Sequence, residues 1–143
     1  MGSAEQAWAS VCDRLSTAGY DALSSSERDW VNLRSLIDSI ENGGLISYFY
    51  NSGADHLADC LEALRRIDAP RALQEVQRVC ALFSGGVPSN IDERNDLINA
   101  WADSPQSEEI DALLEDVDGR LMPMMDRLET QLSSFLRSHG LAI

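Results

Sequence analysis

The sequence predicts an all-α fold, one compact multi-helix domain. Three observations carry this reading. Apolar residues recur at three- and four-residue intervals through almost the whole chain. The breaks between these runs hold glycine, proline and serine with helix-ending or helix-starting chemistry. No alternating apolar-polar run is long enough for a half-buried strand. At 143 residues and 44% hydrophobic content the chain can bury an ordinary core. That length accommodates about six to eight helices. No repeat, low-complexity tract or linker divides it, so residues 1–143 are read as one unit.

The elements follow in order. Trp8, Val11, Cys12 and Leu15 form one face of a first helix, and Gly19 stops it. Ser24 and Glu27 have the spacing of a capping box: the serine side chain accepts from the glutamate N–H while the glutamate side chain reaches back. The helix that follows carries Trp30, Leu33, Ile37 and Ile40 and ends at Asn42-Gly43-Gly44. A short helix or turn over about residues 45–50 stops at Asn51-Ser52-Gly53. Leu57, Cys60, Leu61, Leu64 and Ile67 mark the next helix. Asp68 or Ala69 supplies the following N-cap, with Pro70 at the first helical position. Leu73, Val76, Val79, Cys80 and Phe83 continue the core, and residues 84–89 (SGGVPS) read as a loop. Ile91, Leu97, Ile98 and Trp101 precede a break at Ser104-Pro105. Ile110, Leu113, Leu114 and Val117 come next. A last run holds Leu121, Met124, Met125, Leu128, Leu132, Phe135 and Leu136, with Gly140 as its stop.

The segment ENGGLISYFYNSG (41–53) concentrates backbone freedom and aromatic surface. Gly43 or Gly44 can take the positive φ that closes a helix, and Asn42 tolerates the same region. The other glycine allows close approach of a neighbouring helix. Gly53 turns the chain into the next helix. The aromatics are expected to enter the core with their tyrosine hydroxyls hydrogen-bonded. The alternative is a small-molecule pocket lined by Tyr48, Tyr50 and Asn51.

The formal net charge is −13, and all eleven basic residues are arginines. So acidic a chain repels nucleic-acid phosphates and anionic membrane surfaces, and suits a basic protein partner. No apolar run approaches the length of a membrane span, and no basic segment followed by an apolar run marks a signal peptide. Three cysteines in no paired spacing argue against a disulfide framework, so a cytoplasmic location is expected. The acidity is uneven. Residues 92–129 hold twelve carboxylates and three arginines, a balance of −9, whereas residues 1–91 hold twelve and seven. The densest run is Glu108, Glu109, Asp111, Glu115, Asp116 and Asp118. Glu108, Asp111 and Glu115 share one helical face, where like charges repel and a cationic partner would relieve them. These six are the candidate partner-binding residues, acting as phosphate-like charges.

Catalytic signatures are absent. His56 and Cys60 lie one helical turn apart, but two ligands do not close a metal site. Asp116-Val117-Asp118-Gly119 starts like a calcium loop and lacks the closing glutamate, with Arg127 in its place. No phosphate loop, dinucleotide fingerprint or nucleophile elbow occurs. No metal, cofactor or enzymatic activity is expected.

Leu23-Ser24, Glu27-Arg28 and the run from Asn42 through Gly53, followed by Leu64, Ile67, Asp68 and Ala69, resemble a bacterial family of small acidic proteins, that of DNA-mimic protein nineteen. Leu45 stands where phenylalanine is usual in that family, and Ser47 where glutamine is usual. The resemblance covers residues 23–83 well and residues 92–143 by their acidic helical character. It implies an all-α fold. For the member that gives the family its name it implies a homodimer whose carboxylates imitate DNA phosphates and occupy a DNA-binding regulator. The expectation is therefore an acidic protein-binding module. Its alternatives are an immunity or antitoxin-like protein that neutralises a basic toxin, and a small-molecule binder at the aromatic corner.

Overall fold

In a computed structural model, residues 3–141 are described; the first two and last two positions of the expected 1–143 unit lie outside them. Eight α-helices follow one another: α1 (Ser3–Ala18), α2 (Ser25–Gly43), α3 (Leu45–Tyr50), α4 (Leu57–Arg66), α5 (Pro70–Cys80), α6 (Ile91–Trp101), α7 (Ser107–Leu121) and α8 (Met125–Ser138). Short 3-10 turns at Tyr20–Ala22, Ser52–His56 and Met122–Met124 join some of them. No strand occurs among the described residues.

Helix α2 is the spine. Ser24 and Glu27 close the expected capping box at its start: Ser24 Oγ accepts the Glu27 N–H at 3.2 Å, and Glu27 Oε1 accepts the Ser24 N–H at 2.8 Å. Its apolar stripe is fully buried, with Leu33, Leu36, Ile37 and Ile40 at 0–2% exposure. Around it pack α3, α4 and α8. Helix α5 then lies against α4 and α7, while α6 rests on α3 and the turn before α4. The Asp29 carboxylate on α2 is buried and accepts the Arg66 guanidinium of α4 in two parallel bonds, 2.6 and 2.9 Å. A fork geometry of this kind fixes orientation as well as distance.

The predicted stops are where the chain turns. Gly19 and Gly140 have φ of +93° and +82°. Gly44, not Gly43, closes α2: Gly43 stays helical, while Gly44 has φ +80° and ψ 170° and donates its N–H to Ile40 O. That backbone region is essentially restricted to glycine. Asn42 is the last polar residue of α2 and donates Nδ2 to Asp38 O at 2.8 Å. Pro70 is the first residue of α5 after Ala69. Asp68, just before, holds φ +60°, and Gln131 Nε2 of α8 donates to its carbonyl at 2.9 Å.

One run of aromatic rings crosses the molecule. Tyr48 meets Phe49 edge-on with centroids 5.4 Å apart. Phe49 meets Phe83 at 5.6 Å, and Phe83 meets Trp101 at 5.0 Å. The aromatics of the 41–53 segment thus tie α3 to the loop after α5 and to the end of α6. Gly53 packs closely here too: a Cβ at that position would lie 2.1 Å from Ser35 Oγ and 3.2 Å from Ser35 Cβ, so the serine side chain would have to turn away.

Candidate functional site

Helix α7 starts after a turn in which Ser104 Oγ accepts the Gln106 N–H at 3.0 Å. Glu108 and Glu109 occupy its first turn, where carboxylates complement the exposed backbone N–H groups. Val117 and Leu121 are buried, and Ile110, Leu113 and Leu114 are half-buried, so the opposite side faces water. Glu108, Glu109, Asp111 and Glu115 are all exposed. Among the described residues no arginine pairs with any of these four, although salt bridges engage eight of the eleven arginines elsewhere.

The remaining two members of the acidic run have other work. Asp116 is exposed but clamped between Arg78 of α5 at 2.9 Å and Arg120 at 3.0 Å, and Arg78 also donates to Glu75 at 2.7 Å. The hydrogen bonds from Arg78 and Arg120 hold the Asp116 carboxyl below its usual range. This alternating chain of charges joins α5 to α7, so much of the Asp116 charge is answered within the molecule. Asp118 is a correction to the expectation of six phosphate-like groups. It is half-buried, turned inward, and its Oδ1 accepts the Leu45 N–H at 2.9 Å. It caps α3, whose own N-cap residue Gly44 has no side chain. Gly44 also makes room for it, since a Cβ there would stand 2.5 Å from Asp118 Oδ2.

The aromatic corner does not assemble the expected pocket wall. Tyr48 is fully buried. Its hydroxyl, expected to find a polar partner, has none; the Cys60 thiol is beside it but outside hydrogen-bond geometry. Burial pushes that phenol well above its ordinary range. Tyr50 faces outward at 36% exposure. Asn51 is exposed and folds its side chain back onto Ser47 O at 2.6 Å. Leu45 is fully buried, and the Ser47 hydroxyl lies 2.9 Å from both Ser39 O and Gly44 O. Both departures from the family pattern therefore fall inside the packed corner. Cys60 is likewise core, its thiol 3.8 Å from Asn32 O and raised to about 12 by burial, while His56 stacks on Tyr20 at 3.6 Å.

What organises the corner is Arg94, which sequence periodicity did not single out. It is 0% exposed. Its guanidinium donates to Phe49 O at 2.9 Å, Asn51 O at 2.9 Å, Ser89 O at 3.0 Å and Pro88 O at 3.1 Å, and pairs with Asp55 Oδ1 at 2.8 Å. Conversely Leu97, expected on the apolar face of α6, is 41% exposed. Helix α6 turns Arg94 and Ile98 inward instead.

A family model for DMP19-like protein matches residues 21–139. The chain belongs to that family. No curated protein and no solved structure matches it. The match runs past the 41–53 corner through α7 and into the end of α8, so in this DMP19-like protein the acidic face lies within the family domain. No helix is long and apolar enough to cross a membrane, and no group of three or more potential metal ligands converges among the described residues.

Proposed function

We propose that this DMP19-like protein is a binding module, not an enzyme, and that it engages a basic DNA-binding protein by presenting carboxylates in place of DNA phosphates. The observation that carries the reading is the set of four exposed carboxylates on α7, Glu108, Glu109, Asp111 and Glu115, left without arginine partners among the described residues. At about 1.5 Å rise per residue they span about 10.5 Å along the helix. Glu108, Asp111 and Glu115 share one side of it, and over that length a single DNA strand, with a phosphate about every 3.4 Å, presents a comparable number of charges. Asp92, Glu93, Asp96 and Asp103, on or just after α6, are exposed as well and add to the negative balance of residues 92–129. Family membership is the second support. Like charges held on one helix face cost stability, and a cationic surface relieves that repulsion on binding.

The test is affinity capture from native lysate at low and high salt, with a parallel bait carrying Glu108→Gln, Glu109→Gln, Asp111→Asn and Glu115→Gln. Each captured protein is then assayed for competition between this chain and duplex DNA. The expected result is a basic DNA-binding protein, retained at low salt, lost from the neutralised bait and displaced from DNA by the native chain. Equal capture by both baits overturns the reading. A captured basic toxin with no affinity for DNA replaces it with the immunity-protein alternative.

A further inference from the structure

Beside the acidic face lies an open cleft of about 420 Å³ between the end of α5, the end of α6 and the start of α7. Its apolar walls are Leu82, Trp101, Ile110 and Leu113, and Glu109 stands in its lining as the one charged residue. Trp101 is half-buried and braced edge-on by Phe83, which is itself 4% exposed and packed on Phe49. The wall is therefore anchored to the aromatic run through the core. Leu97, 41% exposed, lies one helical turn before Trp101 and extends the apolar strip along α6.

We propose that this cleft receives an apolar anchor side chain from a cationic segment of the basic partner, with the carboxylates of α7 meeting the positive charges that flank the anchor. This rests on the acidic-face reading and adds a second component to it. Charge alone would give long-range but salt-sensitive attachment, whereas burial of an anchor gives a short-range contribution that salt does not screen. Charge complementarity selects the occupant. Glu109 and its neighbours Glu108 and Asp111 are unpaired by arginine among the described residues, and no arginine lines the cleft. A second copy seated here would bring two segments of −9 together, and a nucleic acid would bring phosphates against carboxylates. A rigid aromatic wall with an adjacent unanswered charge fits an anchor-and-rim interface.

The experiment titrates the 15N-labelled chain with two synthetic helical peptides of equal positive charge. One places leucine and tryptophan among its arginines at helical spacing; the other has serine at those positions. The anchored peptide should bind about tenfold tighter, the effect of burying one large apolar side chain. Its excess affinity should persist as salt is raised, and amide shifts should centre on Leu82, Trp101 and Leu113. Leu82→Gln and Leu113→Gln, half-exposed positions on separate elements, should each remove the excess while leaving binding of the serine peptide unchanged. Equal affinity of the two peptides, or shifts confined to the α7 carboxylates, overturns the anchor and leaves the acidic-face reading standing. Failure of both peptides to bind at low salt overturns the two together. Concentration-dependent shifts at the cleft without any peptide would make the occupant a second copy and overturn the proposal.

Discussion

The Asp118 carboxylate accepts the backbone N–H of Leu45 at 2.9 Å, between residues 73 positions apart. Gly44 makes this bond sterically feasible, because any Cβ at that position would collide with the carboxylate. The Asn-Gly-Gly signature and the acidic run of α7 are thus halves of one structural device. Two of its parts can be separated by mutation. Asp118→Ala leaves the α3 N-terminus uncapped and should cost about 1 kcal/mol. Gly44→Ala meets both a backbone conformation closed to alanine and the carboxylate, and should cost roughly 2–3 kcal/mol. In urea titrations the double variant should lose less than the sum, because removing the carboxylate removes the clash but not the backbone strain. Strict additivity would mean that Gly44 answers only to its own φ. Asp118→Ala should also leave cationic-peptide binding unchanged, unlike neutralisation of Glu108, Glu109, Asp111 and Glu115.

Arg94 holds four backbone carbonyls and Asp55 with no solvent exposure. Lysine carries the charge but not the planar fork, so it can reach only some of these acceptors. Arg94→Lys should therefore recover little of the damage done by Arg94→Met. Both should lose roughly 2–4 kcal/mol, because the carbonyls of Phe49, Asn51, Pro88 and Ser89 lose their donor, while the half-open Asp55 can turn to water. Chemical denaturation measures this. Amide exchange should speed first at residues 49–55 and 88–91, the segments that the guanidinium joins. A lysine variant as stable as the native chain would mean that charge alone suffices.

The local features of this fold were legible because their causes lie within a few residues. The Ser24–Glu27 capping box, Pro70 at the start of α5 and the glycine stops all act over one helical turn. The misreadings involve distant partners. Arg94 meets Asp55 across 39 positions, and Asp118 meets Leu45 across 73. Helical periodicity assigns Leu97 to the inside of α6 by its apolar character, whereas the buried guanidinium takes that side. Charge density located the acidic face, yet could not separate Glu108, Glu109, Asp111 and Glu115 from Asp116 and Asp118. That division depends on Arg78 and on the α3 N-terminus, both brought in by tertiary packing. The cleft at Trp101 had no sequence signal, since its lining comes from three separate stretches, after α5, around the end of α6 and at the start of α7.

Tyr48 offers a stability gain. Its hydroxyl is buried with no hydrogen-bond partner, a state that forfeits the water bonds it makes when unfolded. Tyr48→Phe keeps the ring and its edge contact with Phe49. It should be neutral or stabilising, by up to about 1 kcal/mol in the unfolding free energy read from urea titration. A clear loss of stability would instead identify the adjacent Cys60 thiol as a functioning partner. Cys60→Ala in the Tyr48→Phe background would then cost less than in the native chain.

Glu27 sets an acid-sensitive contribution. Its side chain accepts the Arg14 guanidinium and the Ser24 N–H at once. The bond from Arg14 is the main reason its carboxyl drops from 4.5 to about 2. A depressed carboxyl stabilises the fold fully above its unfolded value and loses that contribution as pH falls through the folded value. The Glu27 share should therefore be intact above about pH 5 and fade toward about pH 2. Glu27→Gln isolates it, because glutamine can keep the reciprocal cap with Ser24 while giving up the charge. At neutral pH the variant should be the less stable of the two in thermal melts. As the pH is lowered through that window the two melting curves should converge. Because Arg14 is 41% exposed, raising the salt should narrow the neutral-pH gap as well. A gap independent of both pH and salt would place the role of Glu27 in the cap alone, with the Arg14 pair contributing nothing to folding.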